Sequence, residues 1–183
     1  MVGSRAIPLS SRIIRLLQTV TRRSEFMQNL FWLIPDRLAG RPGPDRAPWD
    51  LASLHGAGIG AVLSVNDGVL CHPEDFRSQG IAYSCIPLSE NAPPQPGDDA
   101  TCLRALPSAY RFVHQQVTGG RATIVHCSSG KDRTGLFLAY YLVRDGGLAA
   151  KDAIEHVRRV RPIALSAPGW YDFALELLGR RLR

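Results

Sequence analysis

The sequence predicts an α/β domain, a central and mainly parallel sheet flanked by helices. Three observations carry that prediction. Short apolar runs of strand length alternate with longer stretches whose apolar residues recur at helical spacing. Hydrophobic residues make up 45% of the 183 and charged residues 21%, the balance of a globular domain with a real core. The longest apolar runs without charge, around residues 58–65 and 134–143, fall well short of the ~18 residues a membrane-spanning helix needs.

The elements follow in order. Residues 1–24 form a basic leader. It carries Arg5, Arg12, Arg15, Arg22 and Arg23 before the first acidic residue, Glu25. On a helix, Ile13, Leu16, Leu17 and Val20 share one face and the arginines collect opposite. Three readings stay open for it: a helix on the domain edge, a peripheral membrane contact through residues 5–23, or a targeting peptide. The net charge is +6, but removing those five of the 22 basic residues leaves 17 against 16 acidic. The body of 25–183 is therefore nearly neutral and offers no electrostatic track for nucleic acid.

A Pro/Gly-rich loop is predicted over 35–48 and a short amphipathic helix over 49–55. Residues 59–65 read as a buried strand, stopped by the turn signal Asn66-Asp67-Gly68. Residues 81–88 give a second strand and 91–97 (NAPPQPG) a loop. Leu103, Leu106, Tyr110, Val113 and Val117 mark a helix, with Pro107 predicting a kink or a later start. Residues 122–125 form a short strand, 135–145 an apolar helix and 151–160 an amphipathic helix. Ala167-Pro168 opens the last helix. The four cysteines show no metal-ligand spacing, so free thiols in a reducing compartment and no metal are expected.

The chemistry concentrates at His126-Cys127-Ser128-Ser129-Gly130-Lys131-Asp132-Arg133-Thr134-Gly135, between a strand and a helix. Such a turn points backbone N–H groups into one concavity and adds the positive end of the helix, which makes an anion site. Cys127 opens that loop, where the same field stabilises a thiolate nucleophile. Arg133 can return across it and offer a planar fork to two phosphate oxygens. Ser128, Ser129, Gly130, Lys131 and Asp132 line the phosphate and substrate side. Thr134 can donate to the sulfur, and His126 reads as a residue that orders the loop rather than a base.

His-Cys-x5-Arg-Thr-Gly resembles, at every defining position, the signature of cysteine-dependent protein tyrosine and dual-specificity phosphatases. A weaker resemblance runs from about Asn29 to Glu176, including Ile86-Pro87-Leu88 with Asn91-Ala92-Pro93-Pro94 and the stretch 153–162. It implies a compact dual-specificity-phosphatase-like domain without cofactor, monomeric and cytoplasmic, in which Cys127 attacks phosphorus and Arg133 holds the phosphoryl oxygens. A carboxylic acid then protonates the leaving group. The family carries Asp where the landmarks place Glu90, so Glu90 is the expected acid. Asp98 and Asp99 are rivals that also read as helix N-caps, and Asp132 is a further one. Gly-Lys-x-Arg-Thr is similar to family members acting on phosphoinositides, so Lys131 is either a second phosphate-binding cation or a rim charge paired with Asp132. The expected substrate is a phosphoprotein or a phosphoinositide. The competing class is a catalytically silent phospho-binding or membrane-adaptor domain. Relatives can protect the nucleophile with a resolving thiol, and Cys71 and Cys85 are the candidates, against the plainer reading that both are buried structural cysteines.

Overall fold

In the computed structural model, which describes residues 29–180, a five-stranded sheet carries helices on both faces. The leader and its three readings lie outside the described residues. The strands are β1 (Phe31–Ile34), β2 (Leu38–Pro42), β3 (Ile59–Ser64), β4 (Ala82–Cys85) and β5 (Ala122–Cys127). The helices are α1 (Leu51–Gly56), α2 (Pro73–Ser78), α3 (Asp98–Thr118), α4 (Asp132–Gly146), α5 (Ala150–Val160) and α6 (Trp170–Gly179). The order across the sheet is β1-β2-β5-β3-β4. Only β1 runs antiparallel, so the mainly parallel sheet predicted from the alternation is what forms.

Neighbouring residues along each strand face opposite layers, which splits the core. Leu38, Leu63 and Val125 pack under α3, α4, α5 and α6, against Leu106, Val113, Phe137, Tyr140, Ile154 and Trp170. Ala39, Val62 and Ile124 face the other way and pack with Leu54 of α1 and Phe76 of α2. Parallel strands covered on both faces need apolar residues at nearly every position, as 59–65 shows.

Three expectations are corrected. Residues 35–48 are not one loop, because they contain β2, whose five residues are all buried. Its Gly and Pro serve the strand: a Cβ on Gly40 would lie 2.3 Å from the Phe31 ring, and Pro42 sits at the last position. The helix over Pro107 does not start late but at Asp98, and runs through to Thr118. An interior proline costs about 3 kcal/mol; burying Leu106, Val113 and Val117 at about 1.5–3 kcal/mol each outweighs it. Asp98 and Asp99 do not cap that helix either, because Gly97 occupies the cap position with φ 92°. Both aspartates stand in the first turn.

Candidate active site

β5 is flanked by β2 and β3, and His126 and Cys127 are its last residues. Arg41 and Ser64 stand opposite His126, and Pro42 opposite Cys127. The chain then turns through residues 128–131 into α4, which begins at Asp132, so Arg133 and Thr134 lie in its first turn. Cys127 is 1% exposed and sits at the positive end of that helix, and Thr134 Oγ1 donates to its Sγ at 3.2 Å. The cysteine, threonine and arginine of the motif are thus set at one helix terminus.

Around this centre the loop is clamped from several directions. Gly130 adopts φ 59°, and a Cβ there would lie 2.5 Å from the Arg41 carbonyl, so only glycine fits. The Gly43 N–H donates to Ser128 O at 2.8 Å, and Ser128 Oγ donates to Asp45 Oδ2 at 2.5 Å. Arg161, just past α5, donates from Nε to Gly130 O and from Nη2 to Ser129 O, each at 3.3 Å. Burial pulls the Arg161 pKa down while the Cys127 charge pushes it up.

His126 is 1% exposed, with Nε2 2.5 Å from Ser64 Oγ, which in turn meets the Tyr83 hydroxyl at 2.8 Å. Burial lowers its pKa from 6.5 to about 4, so the imidazole is neutral near pH 7. Arg41 lies beneath, buried, its guanidinium 4.9 Å above the Trp49 ring and donating to Ala47 O. Trp49 meets the His126 ring edge-on at 4.6 Å. Burial lowers the Arg41 pKa to about 10, so the guanidinium keeps its charge at neutral pH.

The residues expected to line the substrate divide. Ser128, Ser129 and Gly130 offer their backbone to the loop, but the Ser128 hydroxyl is turned to Asp45. Lys131 Nζ lies 3.4 Å from Asp132 Oδ2, so the rim pair forms. Asp132 is 6% exposed and its Oδ1 accepts from the Ala167 N–H.

The loop of residues 89–97, the acid loop because it holds the expected acid Glu90, is brought to the phosphate loop by Arg133. Its Nε donates to Ser89 O at 2.5 Å and its Nη2 donates to Glu90 O, while its guanidinium lies 5.6 Å above buried Trp170. The Glu90 carboxylate is exposed and takes no hydrogen bond among the described residues. Asp98 is 7% exposed and accepts from Gln95 N–H at 2.6 Å and from Asn91 Nδ2. Burial works against its charge, but the hydrogen bonds of Gln95, Ser89 and Asn91 and the Arg133 charge prevail, holding its pKa below the ordinary value. Asp99 is held by Arg180 at 2.8 Å, which lowers its pKa as well. A cavity of about 250 Å³ lies behind this loop, between Pro94, Gln95 and Asp99 and the α6 residues Phe173, Glu176 and Leu177. It is not where Cys127 is.

Of the two other thiols considered, Cys71 is buried with Sγ 3.7 Å from His126 Nε2. Cys85 is exposed rather than buried, and its Sγ donates to Asn66 O. Neither makes a contact with Cys127. Burial raises the pKa of both. Arg41, Asp45 and Arg161 are site residues that motif reading missed. The available signal was thin: Arg41 and Asp45 stand in a Pro/Gly-rich stretch that reads as a loop, and Arg161 stands near the end of the stretch 153–162.

Comparison with known proteins follows this geometry. Phosphatidylglycerophosphate phosphatase PTPMT1 of Arabidopsis thaliana is 32% identical over 126 residues, covering 67% of this chain and 36% of that protein. PTPMT2 of the same plant is 27% identical over 120 residues, 65% of this chain and 50% of that protein. The chain therefore spans half or less of these relatives. Among solved structures, Tk-PTP in its active form superposes with TM-score 0.67 at 20% identity, over 84% of this chain and 98% of that one. PTPMT1 in complex with PI(5)P gives TM-score 0.61 at 15% identity, over 79% and 92%. At these identities the superpositions speak for the fold alone. The family model "Dual specificity phosphatase, catalytic domain" spans residues 46–173, from just past Asp45 to the helix that carries Trp170, and the chain belongs to that family.

Proposed function

We propose that this domain hydrolyses phosphate monoesters through a phosphocysteine on Cys127, and that its substrate is a phospholipid headgroup. The observation that carries the chemistry is the setting of Cys127 Sγ: at the end of β5, under the N-terminus of α4, with Thr134 donating to it. The Cys127 thiolate attacks phosphorus and the P–O bond to the alcohol breaks. Glu90 gives its proton to the departing oxygen. Two groups of the Arg133 fork hold the acid loop, and its other N–H donors, with the loop amides, meet the phosphoryl oxygens. The Glu90 carboxylate next takes a proton from water, which attacks phosphorus. The S–P bond breaks, phosphate leaves, and the Thr134 hydroxyl supports the returning thiolate. Neutral His126 stays outside the proton transfers and fixes the strand end.

Glu90 is preferred as the acid because Asp98, Asp99 and Asp132 are each committed to other partners. The lipid reading rests on the phosphatidylglycerophosphate phosphatases among the relatives. A phosphoprotein is the second reading, favoured by dual specificity phosphatase 28 of Homo sapiens, 28% identical over 96 residues. Lys131 supports neither, since Asp132 already holds it.

The test is hydrolysis of para-nitrophenyl phosphate, phosphatidylglycerophosphate, phosphoinositides and phosphotyrosyl peptides by wild type and Cys127→Ser. Wild-type turnover that the variant lacks, greatest on a phospholipid, is expected. Equal rates in both proteins overturn the mechanism, and preference for the peptides overturns the lipid assignment.

A further inference from the structure

Among the described residues, three large apolar side chains stand out in solvent: Val69 at 60% exposure, Leu70 at 59% and Ile163 at 47%. All three lie on segments that border the phosphate loop. Val69 and Leu70 follow β3, the strand beside β5. Their segment begins with the Val65 N–H donating to His126 O and ends at Cys71, against His126. Ile163 lies between Arg161, which holds Gly130 and Ser129, and Ala167, which holds Asp132.

The first tip is built rather than slack. Cys71 N–H donates to Gly68 O at 2.8 Å, Val69 N–H to Asp67 Oδ1 at 3.2 Å, and Cys85 Sγ to Asn66 O. Leu70 is held at φ 63°, a conformation a side-chain-bearing residue seldom adopts. Exposed leucines are common, but at Leu70 the exposure coincides with a backbone outlier, and such outliers point to function.

We propose that Val69, Leu70 and Ile163 form an apolar rim that seats the catalytic mouth on a phospholipid bilayer. This rests on the lipid reading above. A bilayer suits the arrangement better than a folded partner. The tips are single protruding side chains on two separate segments, not a groove, and a fluid apolar phase accepts both without shape matching. A headgroup phosphate would then enter between them toward Cys127. The charges near the first tip, Asp67, Glu74 and Asp75, are acidic and Glu74 is paired with Arg77. Exposed Arg158 and Arg159 precede the second tip, so the nearby charges are of both signs, and the part of the seating owed to Val69 and Leu70 should depend little on salt.

The experiment compares the full chain with Val69→Ser/Leu70→Ser and Ile163→Ser. It measures co-sedimentation with phosphatidylcholine vesicles, with and without phosphatidylglycerol, at low and high salt. It also measures hydrolysis of phosphatidylglycerophosphate in vesicles, of its short-chain soluble form, of phosphotyrosyl peptides and of para-nitrophenyl phosphate. The double variant should lose about tenfold in vesicle binding and in vesicle-borne turnover. The soluble substrates should stay within about twofold, and the loss should be the same at both salt levels. Unchanged vesicle binding overturns the rim, as does a selective loss on phosphopeptides, which would assign the tips to a protein partner. If wild type hydrolyses no phospholipid, the lipid reading fails separately, and the binding comparison still decides the rim.

Discussion

The phosphate loop and the acid loop face each other across Arg133 and are held in opposite ways. The phosphate loop is clamped from several sides: the Arg41 backbone behind Gly130, the Gly43 N–H and the exposed Asp45 carboxylate on Ser128, and half-buried Arg161 on two carbonyls. The acid loop is exposed along most of its length and is held by Arg133 on one side and Asp98 on the other. A site that must stabilise transferring charge gains from donors that do not reorganise. A segment that delivers one proton needs only the right reach, and this one is tied to Arg133. In the proposed mechanism, phosphate binding and acid positioning are therefore coupled through that one side chain.

The sharpest way to separate the two loops is Glu90→Gln. It should lower kcat/KM, which reports the steps up to phosphoryl transfer, by roughly 10²–10⁴-fold on alkyl phosphates and less on para-nitrophenyl phosphate, whose leaving group needs little protonation. An equal loss on both substrates would mean that the change disturbs binding instead. The clamp itself is tested by pH. The folded His126 pKa of about 4 lies below its ordinary 6.5, so its contribution to stability is present in full above pH 6.5. It should be lost as pH falls toward 4, amounting to about 3 kcal/mol. Denaturant unfolding at pH 7 and pH 4.5 measures it, and His126→Asn should flatten the difference.

Gly130→Ala should lower kcat/KM by about a hundredfold on every substrate, because the added Cβ meets the Arg41 carbonyl and shifts the loop. A loss confined to poor leaving groups would break the contrast. The smallest effect is expected from Asp98→Asn, about threefold in kcat with KM little changed, since it loosens the acid loop alone. Its carboxylate, with a lowered pKa, stabilises the fold above the ordinary carboxylate range and loses that contribution as pH falls.

The same contrast explains what could be read beforehand. Residues 126–135 announce themselves because they are contiguous and bring together residue types of distinctive chemistry: Cys127, Gly130, Arg133, Thr134. β3, β5 and α4 were legible from apolar runs. β2 was not, because its LAGRP sequence reads as a loop, and it becomes a strand only through the neighbours that cover it. α2, six residues long, was too short for a period, although Pro73 with Glu74 and Asp75 marks its start. Arg41, Asp45 and Arg161 act through tertiary contacts that no local spacing encodes. Asp98 looked like a helix cap because an aspartate after glycine usually is one, whereas here it ties the loop that precedes it.

The account stands on covalent capture of phosphate at Cys127. Rapid mixing with substrate, a denaturing quench and intact-mass measurement should show one phosphoryl adduct on wild type, mapped to Cys127. With para-nitrophenyl phosphate, whose leaving group needs little protonation, the adduct should build up further in Glu90→Gln, which lacks the base for its hydrolysis, and be absent from Cys127→Ser. Turnover by wild type with no adduct in the burst phase, or an adduct mapped to another residue, would contradict it.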